Sequence, residues 1–335
     1  MSEAIRSTIT GAGHYVPTKV VTNADLAKLM TTSDEWIVQR TGIKERRFIE
    51  HDDIGASDLA LPAAKMAIEH AGLQINDIDA IIFATLSPDY NFPGSGVLLG
   101  HMLGLPGVPA LDIRNQCSGF LYALSVADAW VRAGVYKNVL IAGAEVHSTG
   151  IELNDRGRDV SVLFGDGAGC VVVGRATDPN QGIKSLLLHA DGVGAKDLMT
   201  EAPSSRRIPR ITAEMMAEGR HYPKMVGKQV FRWAVEKMPE VAEKALADAK
   251  MHVDEIDLFV PHQANMRINQ MVGMRLNIPQ EKIVHNIEKY GNTTAATIPL
   301  GLSEAWREGR CRRGSNILMA AFGAGYTWGG AVITL

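Results

Sequence analysis

Apolar residues along this chain recur in two rhythms. Residues 59–71 and 118–133 repeat them at helical spacing, which predicts amphipathic helices. Residues 80–84 (AIIFA) and 139–142 (VLIA) are unbroken apolar runs too short for a helix, so they predict buried strands. Residues 258–260 and 317–320 read the same way. Strands alternating with helices predict stacked α/β layers. Residues 160–173 differ, because Asp166-Gly167 sits between two apolar stretches and predicts a tight turn joining two strands.

The pattern also repeats itself. Residues 71–79 (AGLQINDID) match 249–257 (AKMHVDEID) at an offset of 178, and 138–142 (NVLIA) match 316–320 (NILMA) at the same offset. Residues 124–130 (LSVADAW) match 300–306 (LGLSEAW) at an offset of 176. Buried strands resemble one another by chance, but three blocks in one order at nearly one offset argue for duplication. The period is too long for a solenoid. It predicts two similar α/β halves, residues 1–177 and 178–335, with a site in the crevice between them.

Composition narrows the function. The 335 residues are 46% hydrophobic and carry a net charge of -3, with both signs scattered. No basic stripe interleaved with aromatics appears, which argues against nucleic acid as a partner. No apolar run approaches the length of a membrane span, about 18 residues. Residues 1–15 lack the apolar core of a signal peptide. Cys117, Cys170 and Cys311 stand far apart, with no disulfide framework and no CxxC pair, which fits a reducing, cytoplasmic setting.

Candidate chemistry follows from position. Cys117 lies between a short apolar strand and a helix, near a helix N-terminus whose positive dipole end favours thiolate, a good nucleophile toward a thioester. An isolated cysteine is more often a buried structural residue, but the repeat shifts the balance. At an offset of 176, Cys117 maps to Thr293, beside Asn292, so both halves place a polar group at the same junction. His262 ends the strand 258–260, and the sequence offers 10 histidines, most of which must serve packing or the surface. Asn292 precedes a helix, where an Asn is an ordinary N-cap and can still turn its amide to a crevice. Gly11-Ala-Gly13 lacks the third glycine of a dinucleotide loop, and no phosphate loop, HExxH or EF-hand pattern occurs. Gly323-Ala-Gly325 reads as a tight turn, or as a close backbone approach that aims N–H groups at an oxyanion.

Five ordered motifs then carry a resemblance: QCSGF (116–120), FGDGAG (164–169), VPHQAN (260–265), YGNTTAATIPL (290–300) and AFGAGYTWGG (321–330). Together they resemble β-ketoacyl-acyl carrier protein synthase III, the initiating condensing enzyme of type II fatty acid synthesis, nearly end to end. The resemblance implies a thiolase-like fold, two duplicated α/β halves in an αβαβα arrangement. It implies that Cys117 is acylated and that His262 and Asn292 promote decarboxylation of a malonyl thioester. The N–H groups of Cys117 and Ala324 would form the oxyanion hole, with Ala324 standing where the family has a glycine. Thr32, Trp36, Arg40, Arg156 and Asn265 match the coenzyme A mouth, with Trp36 and Arg156 around the adenine. Arg232 and Arg267 match positions that meet the acidic carrier protein. Phe164 and Phe322 match the acyl pocket, and Phe92 the residue a dimer partner inserts there. Two residues near Arg158-Asp159 are extra relative to the family.

The implied substrates are an acyl-CoA and malonyl-acyl carrier protein, in a cytoplasmic homodimer with no metal and no cofactor. Neither half of such a reaction transfers a hydride. A related acyltransferase of the same fold, or a condensing enzyme of secondary metabolism, shares the cysteine and histidine. A papain-like hydrolase predicts no tandem repeat, and a non-catalytic relative would tolerate loss of Cys117, His262 or Asn292. Residues 191–231 are long and hold Met199, Met215, Met216 and Met225, which predicts room for acyl groups longer than acetyl.

Overall fold

The computed structural model describes residues 5–335. Two sheets carry the duplicated halves. The first runs in the order Ser7–Tyr15, Gly167–Arg175, Val139–Glu145, Ala80–Ala84, Ala110–Ile113. The second repeats four of those places as Gly182–Ala190, Thr327–Thr334, Asn316–Gly323, Leu258–Pro261. The fifth place shrinks to a single parallel bridge between Phe259 and Ile283.

Both faces of each sheet are covered, which is why the central strands read as unbroken apolar runs rather than alternating ones. Along Ala80–Ala84, Ile82 faces the inner layer and Ile81 and Phe83 the outer one. The inner layer is a pair of helices, Gly119–Arg132 and Thr297–Arg307, whose Phe120, Leu124, Leu302 and Ala305 fill one shared core. Outside, Ala56–His70 covers the first sheet and Gly227–Asp248 the second. The result is five layers, αβαβα. Each fully buried Ile or Leu of the shared core is worth about 1.5–3 kcal/mol of transfer, so a truncation such as Leu124→Ala loosens both halves at once.

Corresponding elements start at one offset. Ala80 and Leu258, Gln116 and Thr294, and Gly119 and Thr297 each differ by 178. The backbone therefore pairs Cys117 with Ala295, correcting the expected partner Thr293. The block at 176 is out of register with these helix starts, so its residues are not structurally equivalent.

Asp166-Gly167 is not a hairpin turn. A strand follows it, Gly167–Arg175, but a helical turn, Arg158–Ser161, precedes it. The Asp166 carboxylate is buried and accepts from the backbone N–H of Ile49, His147 and Ser148, tying three segments together. Gly11 and Gly13 serve packing: a Cβ there would lie 2.4 and 2.2 Å from carbonyl oxygens of Ala67 and Ala63 in the covering helix. Residues 1–4 of the N-terminal stretch lie outside the described residues, and its remainder enters the first sheet. All three cysteines are free and buried. Among the described residues, no helix is long and apolar enough to cross a membrane.

Candidate active site

Cys117 sits at the end of the crevice between the halves. Gln116, with φ 45°, turns the chain from the strand Ala110–Ile113 into a short 3-10 turn, and the helix Gly119–Arg132 follows. That sharp turn pushes the sulfur forward. Gly323 makes room for it, since a Cβ there would lie 2.6 Å from the Cys117 Cβ. Burial pushes the thiol up to about 12, and the Glu145 carboxylate adds to the rise. Hydrogen bonds from the N–H groups of Ala324 and Cys117 itself act in the opposite direction. These two donors therefore lie where a charge on the sulfur, or on an oxygen bonded beside it, would be stabilised. Burial thus works against the thiolate that the neighbouring helix N-terminus favours.

His262 follows the strand Leu258–Pro261 and is fixed by its own N–H on the Ala320 carbonyl. Its Nδ1 lies 2.7 Å from the Thr297 hydroxyl, and its buried Nε2 has no partner among the described residues. Burial holds the imidazole pKa down to about 3, so the ring is neutral near pH 7. Asn292 does not cap the helix directly. A 3-10 turn, Thr294–Ala296, intervenes, and the Asn292 Oδ1 accepts from the Thr294 N–H at 2.8 Å. The amide oxygen is thus spoken for, and the NH2 group is the end left to act as a donor.

Cys117, His262 and Asn292 share one cavity of about 400 Å³. Trp36, Arg40, Asn265, Phe164 and Phe322 line it as well. A second cavity, about 490 Å³, meets the first at Cys117, Phe164 and Leu198, and is walled by Leu86, Val146, Ile151 and Met199. Ala324 lies in the second cavity, and Met225 in the first. Met215 and Met216 line neither, because the helix Ala213–Ala217 carries them outward. Phe92 is 86% exposed and touches neither cavity.

The mouth differs from expectation at one arginine. Arg156 does not face Trp36. Its Nε donates to both Glu152 carboxylate oxygens at 2.8 and 2.9 Å, and its Nη1 to the Ala217 carbonyl. The extra residues form the helical turn Arg158–Ser161, which brings the Arg158 guanidinium to 4.9 Å from the Trp36 ring centre. Arg40 lies over the same ring at 4.2 Å. Thr32 is outside the first cavity, with a buried hydroxyl that finds no partner among the described residues. Asn265 caps the helix Met266–Arg275 and binds the Arg40 carbonyl, joining the halves at the mouth. Arg267 lies exposed over Phe231, and Arg232 is exposed nearby on the same rim.

Sequence reasoning passed over Thr294, Thr297, His147, Glu145 and Arg158. Glu145 is fully buried and accepts from the Thr85 and Ser87 hydroxyls and the Leu86 N–H. Burial still pushes its carboxyl up to about 7. Only the left-handed position shared by Gln116 and Thr294 leaves a trace in sequence, through the 178-residue repeat. Among the described residues, no three His, Cys, Asp or Glu side chains converge to hold a metal ion.

Comparison with known proteins agrees with this geometry. Residues 111–192 match the profile of the 3-oxoacyl-[acyl-carrier-protein] synthase III family, and residues 246–335 its C-terminal profile. The β-ketoacyl-[acyl-carrier-protein] synthase III of Caldanaerobacter subterraneus is 44% identical, over 99% of both chains. The crystal structure of 3-oxoacyl-[acyl-carrier-protein] synthase III from Aquifex aeolicus superposes with a TM-score of 0.89 at 42% identity, covering 98% of this chain and all, 100%, of that one. The priming β-ketosynthase of the R1128 polyketide pathway reaches a TM-score of 0.90 at 34% identity, covering 100% of this chain and 98% of that one.

Proposed function

This chain belongs to the 3-oxoacyl-[acyl-carrier-protein] synthase III family, and from that premise we propose how its residues divide the reaction. The reaction is the decarboxylative condensation of an acyl-CoA primer with malonyl-acyl carrier protein, giving β-ketoacyl-carrier protein, coenzyme A and carbon dioxide. It initiates fatty acid synthesis.

The observation that carries the division is the position of Cys117, whose sulfur closes both cavities. The first cavity takes the pantetheine arm, entering past Trp36, Arg40 and Asn265. The second takes the acyl chain. The neutral imidazole of His262 receives the thiol proton as the sulfur attacks the thioester carbonyl. The N–H groups of Cys117 and Ala324 hold the oxygen of the tetrahedral intermediate. Coenzyme A leaves with a proton. Malonyl thioester then enters the first cavity, and its carboxylate is lost as carbon dioxide. The electron pair passes to the thioester oxygen as an enolate, which the Asn292 NH2 group meets with a hydrogen bond. The enolate carbon attacks the acyl-cysteine, and the Cys117 thiolate is released and reprotonated. Our reading needs no cofactor or metal.

Around this centre we assign Arg158, not Arg156, as the guanidinium that stacks with Trp36 on the adenine. Arg232 and Arg267 face the acidic carrier protein. We read the protein as a cytoplasmic homodimer of chains divided at 177/178. An aromatic side chain as exposed as Phe92 then fits a place beside the partner's acyl cavity. A strictly monomeric, fully active enzyme in sedimentation would refute the dimer.

The decisive experiment follows each half-reaction separately. Intact-protein mass after acyl-CoA treatment should show one acyl group on Cys117, and labelled carbon dioxide should follow from malonyl-carrier protein. Acylation without any carbon dioxide release would favour the second reading, acyl transfer to another acceptor.

A further inference from the structure

Thr294 is fully buried and holds φ at 48°, a left-handed backbone that a β-branched residue rarely adopts. Such an outlier persists only where its surroundings hold it, and here they can be named. The Thr294 hydroxyl lies 2.8 Å from His147 Nε2. The His147 ring rests on Phe164, with ring centres 4.6 Å apart. Both rings belong to the wall of the second cavity.

Two further bonds leave the same residue toward the chemistry, and a third continues from Thr297. Its N–H donates to Asn292 Oδ1 at 2.8 Å. Its carbonyl accepts from the Thr297 hydroxyl at 3.0 Å. That hydroxyl owns one hydrogen, so its oxygen is left to accept from His262 Nδ1 at 2.7 Å. The chain of bonds fixes two polarities at once. Asn292 turns its NH2 end to the cavity, and His262 keeps its proton on Nδ1 and its lone pair on Nε2.

We propose that Thr294 is the positioning residue for both Asn292 and His262, and that His147, from the other half of the molecule, is the anchor that holds it. The acyl cavity thereby braces both groups: the imidazole in its wall fixes the turn that aims them. The proposal rests on the reading of Asn292 and His262 given above.

The first test needs no variant. The imidazole 15N signals of His262 in histidine-labelled protein should show hydrogen on Nδ1 and a bare Nε2. Hydrogen on Nε2 would overturn the assigned polarity, whatever the enzyme catalyses. The second test uses Thr294→Ser, Thr294→Gly and His147→Phe, read by carbon dioxide release. Serine keeps the hydroxyl and should stay within about threefold of the wild type. Glycine relaxes the backbone but loses the anchor. It should slow release about 10²-fold, the scale of a small misplacement of catalytic groups. His147→Phe should do the same while binding acyl-CoA. Equal rates for serine and glycine would refute the anchor. If Asn292→Ala leaves carbon dioxide release intact, the underlying reading fails instead, and the tautomer result stands by itself.

Discussion

The two junctions that lead into the central helices of this molecule share a backbone and divide the chemistry. Gln116 and Thr294 both turn left-handed, at φ 45° and 48°, and each starts a 3-10 turn that feeds a central helix. In the first junction the next residue is Cys117. In the second it is Ala295, and no nucleophile stands there. What the second junction carries instead is orientation: Asn292 before the turn, Thr297 after it, and His262 against Thr297. Duplication thus supplied two copies of one sharp turn. One copy projects a reactive atom, and the other fixes the groups that act on the substrate.

The strongest way to break this comparison is to remove one junction's chemistry at a time. Cys117→Ala should abolish self-acylation outright, read by intact-protein mass. Moving the thiol across, in Cys117→Ala with Ala295→Cys, should not restore it, because Ala324 donates at the first junction. Asn292→Ala should leave acylation nearly intact and lower carbon dioxide release about 10²–10³-fold, the usual cost of losing one such donor. His262→Ala should impair acylation, and carbon dioxide release through it. A thiol pushed up to about 12 by burial is not ionised by a helix dipole alone, so the imidazole has work in acylation. If Asn292→Ala blocked acylation as fully as Cys117→Ala, the division between the junctions would be wrong.

A second test exploits the two buried histidines, one from each half. Burial holds both His147 and His262 at about 3, against 6.5 for an exposed ring. Below about 6.5 the unfolded chain takes up protons that the folded site refuses. Stability contributed by these rings is full above that pH and is lost as the pH falls toward 3. Each refused proton costs about 1.4 kcal/mol per pH unit. Urea titrations from pH 7 to 4 should show that slope relieved by about one proton in His147→Gln. An unchanged slope would mean that His147 titrates normally in the fold.

Much of this was legible in the sequence, for a definite reason. Residues 80–84 and 139–142 are apolar throughout because both faces of their strands are covered, and that burial leaves a plain trace. The repeat showed because it lies in the same buried strands and helix ends. Asp166 misled because its carboxylate is used across the fold, by Ile49, His147 and Ser148, and an Asp-Gly pair looks the same when it turns a hairpin. That Arg158 and not Arg156 meets the Trp36 ring was hidden by a local insertion, which adds a helical turn there. Thr297 and His147 left no signal at all, and Thr294 only the offset of its turn. Their contacts join residues 35 and 147 positions apart, and a buried threonine has no characteristic neighbours in sequence.

The two cavities sharpen the comparison further, since Cys117 of the first junction lines both, whereas Asn292 and Thr294 of the second line one each. About 490 Å³ of space beyond Cys117 is far more than an acetyl group fills. We expect hexanoyl- and octanoyl-CoA to load Cys117. Met199→Trp should narrow that cavity and lower octanoyl loading about tenfold relative to acetyl, a typical discrimination for an apolar pocket. Competition of the acyl-CoAs for one enzyme, read by mass, measures the ratio. Loading by acetyl alone in the wild type would sink the expectation.

The smallest expected effect comes from a pair of helices that repeat the same burial rhythm on the outer faces. Ser95–Met102 buries Ser95, Gly96, Leu99 and Gly100, while Met266–Arg275 buries Ile268, Asn269, Val272 and Gly273. Where the first half has Gly96, whose N–H donates to Asp112, the second has Asn269. That side chain is fully buried, and neither its oxygen nor its nitrogen has a hydrogen-bond partner among the described residues. A buried amide left unpaired costs about 1–3 kcal/mol, and an apolar group of the same shape does not pay that cost. Asn269→Leu should therefore raise the melting temperature by about 2–4 °C, without changing acylation or carbon dioxide release. Differential scanning calorimetry at pH 7 measures it. A lower melting temperature would mean that the amide binds a buried water, and that the second helix has a polar tie its counterpart at Gly96 lacks.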